Sequence, residues 1–172
     1  VAVSGNCAPW PTSRWWPNWS PWPPRAREQG LVEKLRGTAD TLGHRDVHTP
    51  LGVAAPVLVP DWADGDLLVG PAEATMLVDV KTVVTLADPR RVAGWCWQIL
   101  AYTWLDSLDL HRIRSVGLYL ARHGVLVAWS ARTLAGALLG DNNPGRVDQA
   151  RREFVEVATQ VIRGKGGVLP IA

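Results

Sequence analysis

Ala63-Asp-Gly-Asp-Leu-Leu-Val-Gly70 and, after a short interval, Met76-Leu-Val-Asp-Val-Lys-Thr82 are the segments on which the reading of this chain turns. Asp66 to Val69 is a short apolar run behind an acidic residue. Gly70-Pro-Ala-Glu-Ala-Thr75 has the composition of a turn, and Leu77 to Val83 is β-rich. The two runs therefore form a hairpin. Side chains two apart on a strand share a face, so Asp79 and Lys81 point the same way and Asp66 enters from the neighbouring strand. Two carboxylates and an ammonium converging on a sheet otherwise made of Leu and Val are costly to bury unless they pair or bind a metal. Hard oxygen ligands with room for water suit Mg²⁺, and a lysine beside such an ion is equipment for hydrolysis. A simpler reading stands beside this one. Val78-Asp-Val-Lys-Thr82 alternates as any half-exposed strand does, and Asp79 and Lys81 would then be an ordinary same-strand ion pair, with Asp64 and Asp66 as turn residues.

Downstream, Ala87-Asp88-Pro89 starts a helix, with Asp88 as N-cap and Pro89 at the first position. It runs to about Leu108 and is apolar nearly all round (Val92, Trp95, Cys96, Ile99, Leu100, Trp104, Leu105), which predicts burial on most sides. Arg91, Trp95, Gln98, Tyr102 and Leu105 share one stripe, so Gln98 and Tyr102 project together. A buried amide and phenol need partners. These lie either in an active site or on a bound backbone, or else in a local core hydrogen bond. Ser115 to Ala121 and Val125 to Trp129 form a second β pair turned at His123-Gly124. Ala131 to Leu139 is a short helix, Asp141-Asn-Asn-Pro-Gly145 a loop, and Val147 to Ile162 an amphipathic helix with Val147, Phe154, Val157 and Val161 inward.

Upstream, Val53 to Val59 reads as one strand. Arg25 to Leu42 reads as a helix with Leu31, Val32, Leu35, Ala39 and Leu42 on one stripe, ended by Gly43. Glu28 falls inside that stripe and Glu33 opposite it. Glu28 there either reaches inward as a candidate metal ligand or simply serves the helix dipole as an acid in the first turn. His44 and His48 sit beside Thr49-Pro50, where helix is disfavoured, so their spacing carries no face information. Residues 1–24 stand apart, with Trp10, Trp15, Trp16, Trp19 and Trp22 interleaved with six prolines. Such proline density blocks helix and ladder, which predicts a disordered tail or, alternatively, a stacking arm for unpaired bases.

At 172 residues, residues 25–172 make a single domain with a sizeable core. Apolar content of 47% and charged content of 20% are ordinary for a globular chain. No run approaches a membrane span and no secretory leader is legible, so a cytoplasmic location is expected. Cys7 and Cys96 are too few for a zinc or iron–sulfur site. Net charge is +2, without a global polyanion signature. Arginines cluster locally at Arg90-Arg91, Arg112 and Arg114, Arg122, Arg146 and Arg151-Arg152, as solvated faces or as phosphate contacts. Neither a Ser-His-Asp or Cys-His pattern nor a Gly-rich phosphate loop offers a rival chemistry.

The hairpin resembles the PD-(D/E)XK nuclease superfamily, in which an Asp precedes, by one hairpin, an acidic residue, any residue and a Lys. Here these are Asp66, Asp79, Val80 and Lys81. Asp66 fits that spacing better than Asp64, because the apolar run begins at Leu67. Gln98 and Tyr102, in Trp97-Gln-Ile-Leu-Ala-Tyr-Thr103, match the Gln-x-x-x-Tyr element of the RecB-like branch. Lys81 is one of three lysines against fifteen arginines, at the position where a compact ammonium is needed. The resemblance covers residues 25 to about 130. It implies an α/β restriction-endonuclease-like core, a mixed central sheet flanked by helices in the order α-β-β-β-α-β-β-α-α. It further implies a metal-dependent nuclease acting on DNA, with Mg²⁺, or Mn²⁺ in its place, held by Asp66, Asp79, the Val80 carbonyl and Glu28. Lys81 would activate water, and Gln98 and Tyr102 would steady the site or grip the backbone. A catalytically silent domain of the same fold, or another α/β binding module, is the alternative.

Overall fold

A computed structural model of the chain describes residues 52–71 and 73–171. The expected helix over residues 25–42 with Glu28, the loop histidines His44 and His48, and the Trp/Pro-rich segment all lie outside the described residues. Where a single strand was expected from Val53 to Val59, there are two, β1 (Gly52–Ala54) and β2 (Val57–Val59). The break is local and physical: Pro56 has no N–H to give a ladder, and Ala55 adopts a left-handed backbone with φ 50°. β2 pairs antiparallel with β3 (Ala63–Asp64) as a small separate hairpin. The chain then returns to β4 (Leu67–Val69), which pairs antiparallel with β1. Two backbone hydrogen bonds close the base of this excursion, Ala55 N–H to Asp66 O and Gly65 N–H to Pro56 O, each 2.9 Å.

β5 (Thr75–Lys81) begins and ends two residues before the expected Leu77–Val83. Thr75 is drawn into the sheet by its N–H on Arg112 O at 3.0 Å and its hydroxyl on His111 O at 2.5 Å. At the other end, Lys81 O accepts from Ala121 N–H at 2.9 Å before the chain leaves the sheet. Helix α1 (Pro89–Leu105) follows, with Asp88 as N-cap and a proline in its first turn, as the sequence indicates. It stops short of Leu108 because the buried Asp106 carboxylate accepts from Leu110 N–H at 2.8 Å and His111 N–H at 3.0 Å. These bonds turn the backbone into β6 (Ile113–Leu120), which pairs with β7 (Val125–Ser130) through a turn at Gly124, φ 61°. Ser130 caps α2 (Ala131–Leu139) and Asn143 caps α3 (Pro144–Gly164).

The described part is an α/β arrangement: a mixed five-stranded sheet ordered β1-β4-β5-β6-β7 and three helices. Only β5 and β6 run parallel, joined through α1 as a parallel crossover requires. Leu68, Leu77, Val116 and Leu118 pack with Cys96, Ile99, Leu100, Trp104, Leu134 and Val147 of the helices. Val69, Met76, Val78 and Tyr119, of opposite parity, form a separate buried cluster on the other face. Strand alternation therefore puts Asp79 and Lys81, which follow Leu77 in steps of two, on the face that carries α1. No described helix is long and apolar enough to cross a membrane.

The inward stripe of α3 is rotated from the expected one. Val147 is buried and Phe154 tilts against Trp104 at 5.5 Å, but Val157 and Val161 are 59% and 51% exposed. The C-terminal half of the helix packs instead through Val155, Ala158 and Ile162 against Leu169 and the β2–β3 residues Val59 and Ala63. Ile162→Ala is accordingly expected to lower stability by about 2–5 kcal/mol, and Val161→Ala by less than about 0.5 kcal/mol. Urea unfolding of the two variants measures the difference directly.

Candidate active site

The hairpin of β4 and β5 sets the site. Its register pairs Leu67 with Val78, Leu68 with Leu77 and Val69 with Met76. One step further along the same register brings Asp66 beside Asp79. The Asp66 backbone is fixed by its carbonyl on Ala55 N–H, and its Oδ2 accepts the Val80 N–H at 2.6 Å. The carboxylate thus continues the ladder where β4 has no further backbone to offer. In a strand the N–H and C=O of one residue point to the same side, so the Val80 carbonyl is turned toward Asp66 as well.

Asp79 and Lys81 lie on the α1 face with side chains 15% and 16% exposed, and Lys81 Nζ stands 2.8 Å from Asp79 Oδ2. The same ammonium donates to Gln98 Oε1 of α1 at 3.0 Å. It also lies 5.8 Å from the Trp95 ring centroid, and the Arg91 guanidinium lies 5.5 Å from that ring. Burial pushes the Asp79 carboxyl above the ordinary aspartate range. The Lys81 ammonium opposes the shift, and the charge of Asp66 adds to it. Asp79 Oδ2 is enclosed and has no hydrogen-bond partner among the described residues, its only compensation being the ion pair. The half-buried Asp79 thus lies beside a second, exposed carboxylate, Asp66, with one ammonium paired to it.

These donors fit a small hard cation. Asp66, Asp79 and the Val80 carbonyl supply oxygen only, and they are few enough to leave water in the remaining positions, as Mg²⁺ prefers. No cluster of three or more His, Cys, Asp or Glu occurs among the described residues. Asp64, the competing first carboxylate, belongs to β3 opposite Val57 and is not among the groups that shift Asp79. Glu28 lies outside the described residues.

Gln98 and Tyr102 part company. Gln98 is solvent-exposed and reaches Lys81. Tyr102 is half-buried among the hydrophobic clusters, against the β2–β3 hairpin residues and the end of α3. No hydrogen bond joins it to Gln98 or to the carboxylates among the described residues. The sequence puts Trp95 on the Gln98 stripe without marking it as part of the site; its three-residue spacing from Gln98, one helical turn on the same face, is the available signal. At the rim, Arg122 Nε donates to Thr82 O at 3.2 Å, which holds the β6–β7 turn against the end of β5. No family model, curated protein or solved structure matches the chain.

The raised Asp79 pKa has a consequence for stability. A carboxyl that holds its proton more tightly folded than unfolded adds stability below its unfolded pKa, and that contribution is lost as pH rises through the folded value. With divalent ions chelated, Asp79→Asn is therefore expected to melt at a higher temperature than the parent at neutral pH. The gap should close as the solution is acidified below the ordinary aspartate range. Thermal melts in EDTA across pH check this; a neutral-pH melt below the parent's would show that the Lys81 pairing outweighs the burial cost.

Proposed function

We propose that this chain is a metal-dependent nuclease that hydrolyses DNA phosphodiester bonds at the Asp66–Asp79–Lys81 site. The observation that carries the reading is the convergence of these three side chains on one sheet face, with Gln98 of the following helix on the lysine. The roles given to them here come from the PD-(D/E)XK resemblance of their spacing in the sequence. The antiparallel β4–β5 hairpin followed by α1 and the parallel strand β6 supports the restriction-endonuclease-like reading of the fold. DNA as substrate follows from the resemblance.

Asp66, Asp79 and the Val80 carbonyl would hold Mg²⁺ or Mn²⁺. When bound, the ion supplies positive charge against a phosphate oxygen and acidifies the attacking water. The two aspartates fix where that charge sits relative to β5. Lys81 is the donor group of the site: its ammonium has three N–H donors, of which Asp79 and Gln98 engage at most two. A remaining donor can orient the attacking water or offset charge on the phosphate as it builds. Gln98 steadies the ammonium. Tyr102 supports the site through packing, by holding the β2–β3 excursion whose closure fixes Asp66.

The competing reading, a silent domain with an ordinary half-buried ion pair, predicts no activity for Lys81 to lose. Labelled single- and double-stranded DNA, incubated with Mg²⁺ or Mn²⁺ and with EDTA as control, separates the two. Cleavage by the parent chain should need the divalent ion. Lys81→Ala should reduce it by about a hundredfold or more, the scale of losing one preorganised charge-stabilising donor, with the folded melt retained. Cleavage in EDTA, or a fully active Lys81→Ala, would return the hairpin to plain structure. A parent chain inert on every substrate would favour the silent domain.

A further inference from the structure

A lysine on a four-carbon stem is a poor precision tool unless something holds it, because its free rotamers carry roughly 2 kcal/mol of entropy. At this site the ammonium is met from its own strand by Asp79 at 2.8 Å and from α1 by Gln98 at 3.0 Å. The third neighbour is the Trp95 ring, with its centroid 5.8 Å from Nζ, within the distance at which a ring face attracts a cation. Trp95 and Gln98 are three apart on α1 and so present their side chains from adjacent turns of one face. Arg91, one turn before Trp95, lies 5.5 Å from the same ring. The indole is flanked by two cations and half-buried at the margin of the helix–sheet core. Among the described residues, Trp95 is the tryptophan that lies beside Lys81.

We infer that Trp95 is a positioning residue: its ring face and the Gln98 amide form a two-point clasp from α1 that sets the direction of the Lys81 ammonium above Asp79. This rests on the nuclease reading for its effect on turnover, whereas the clasp itself is a contact that exists or fails independently of activity. A rigid helix therefore directs the catalytic group, and the strand that carries Lys81 does not act alone. Trp95→Phe keeps a ring face. Trp95→Leu keeps apolar bulk and removes the ring.

The test uses the full chain. Because it contains only three lysines, Lys34, Lys81 and Lys165, ¹³C-labelling of lysine gives three ε-methylene signals, and Lys81→Arg identifies the one of interest. In the parent that signal should be displaced upfield by the indole ring current. It should remain displaced in Trp95→Phe and move to the position of a lysine in a short unstructured peptide in Trp95→Leu. An undisplaced Lys81 signal in the parent, or one still displaced in Trp95→Leu, would overturn the clasp. Kinetics then address the role. Trp95→Leu should lower kcat about two- to thirtyfold, the range of a single cation–ring contact, with KM for DNA little changed and Trp95→Phe restoring most of the loss. Loss of that displacement with kcat intact would overturn the positioning role. A displaced signal in a parent chain that cuts no DNA would leave the contact standing and the nuclease reading refuted.

Discussion

The register of β4 against β5 is the constraint on which the site depends. Pairing Leu67 with Val78 places Asp66 next to Asp79, and a slip of one residue would turn every side chain of one strand to the other face. That slip is opposed from both faces at once. Leu68 and Leu77 are committed to the helix side, and Val69, Met76 and Val78 to the opposite cluster. The burial of five apolar side chains thus sets the register that brings the two carboxylates together. The bonds from Ala55 N–H to Asp66 O and from Val80 N–H to Asp66 Oδ2 then fix the last residue, where β4 has ended.

Against that scaffold the charges are poorly matched. Asp79 is shielded from water and leans on a single ammonium, which it shares with Gln98. A stability-optimised sheet would carry an apolar residue there, since paired charges of this kind commonly contribute little or nothing to net stability. On the proposed reading, the under-compensated Asp79 carboxylate beside a second one is where a cation would sit, and perturbed carboxyls of this kind concentrate at functional sites. α1 serves both purposes. Its Cys96, Ile99, Leu100 and Trp104 fill the core, while Arg91, Trp95 and Gln98 run along the site.

How much of this the sequence discloses depends on whether a signal is local. The hairpin, the shared face of Asp79 and Lys81, the Asp88 cap and the α2 limits follow from period and capping, which act over a few residues. The break at Ala55-Pro56 was legible in the proline, but the closure of the β2–β3 excursion onto residues 65 and 66 is a tertiary event. The rotation of α3 toward Ile162 is likewise decided by what lies beneath it, Leu169 and the β2–β3 hairpin, which no helical count contains. Gln98 and Tyr102 share a stripe, yet one meets Lys81 and the other meets core, because the helix crosses from the sheet's end toward the β2–β3 hairpin within that single turn.

The central claim is that Asp66, Asp79 and the Val80 carbonyl together hold a divalent cation. Crystals of the full chain soaked in Mn²⁺ and measured at a wavelength where manganese scatters anomalously test it most directly. The account predicts one anomalous peak at coordination distance from a carboxylate oxygen of Asp66, a carboxylate oxygen of Asp79 and the Val80 carbonyl, and no such peak in Asp79→Asn crystals. Soaked crystals in which those oxygens have no peak, or in which the peak persists in Asp79→Asn, would contradict it.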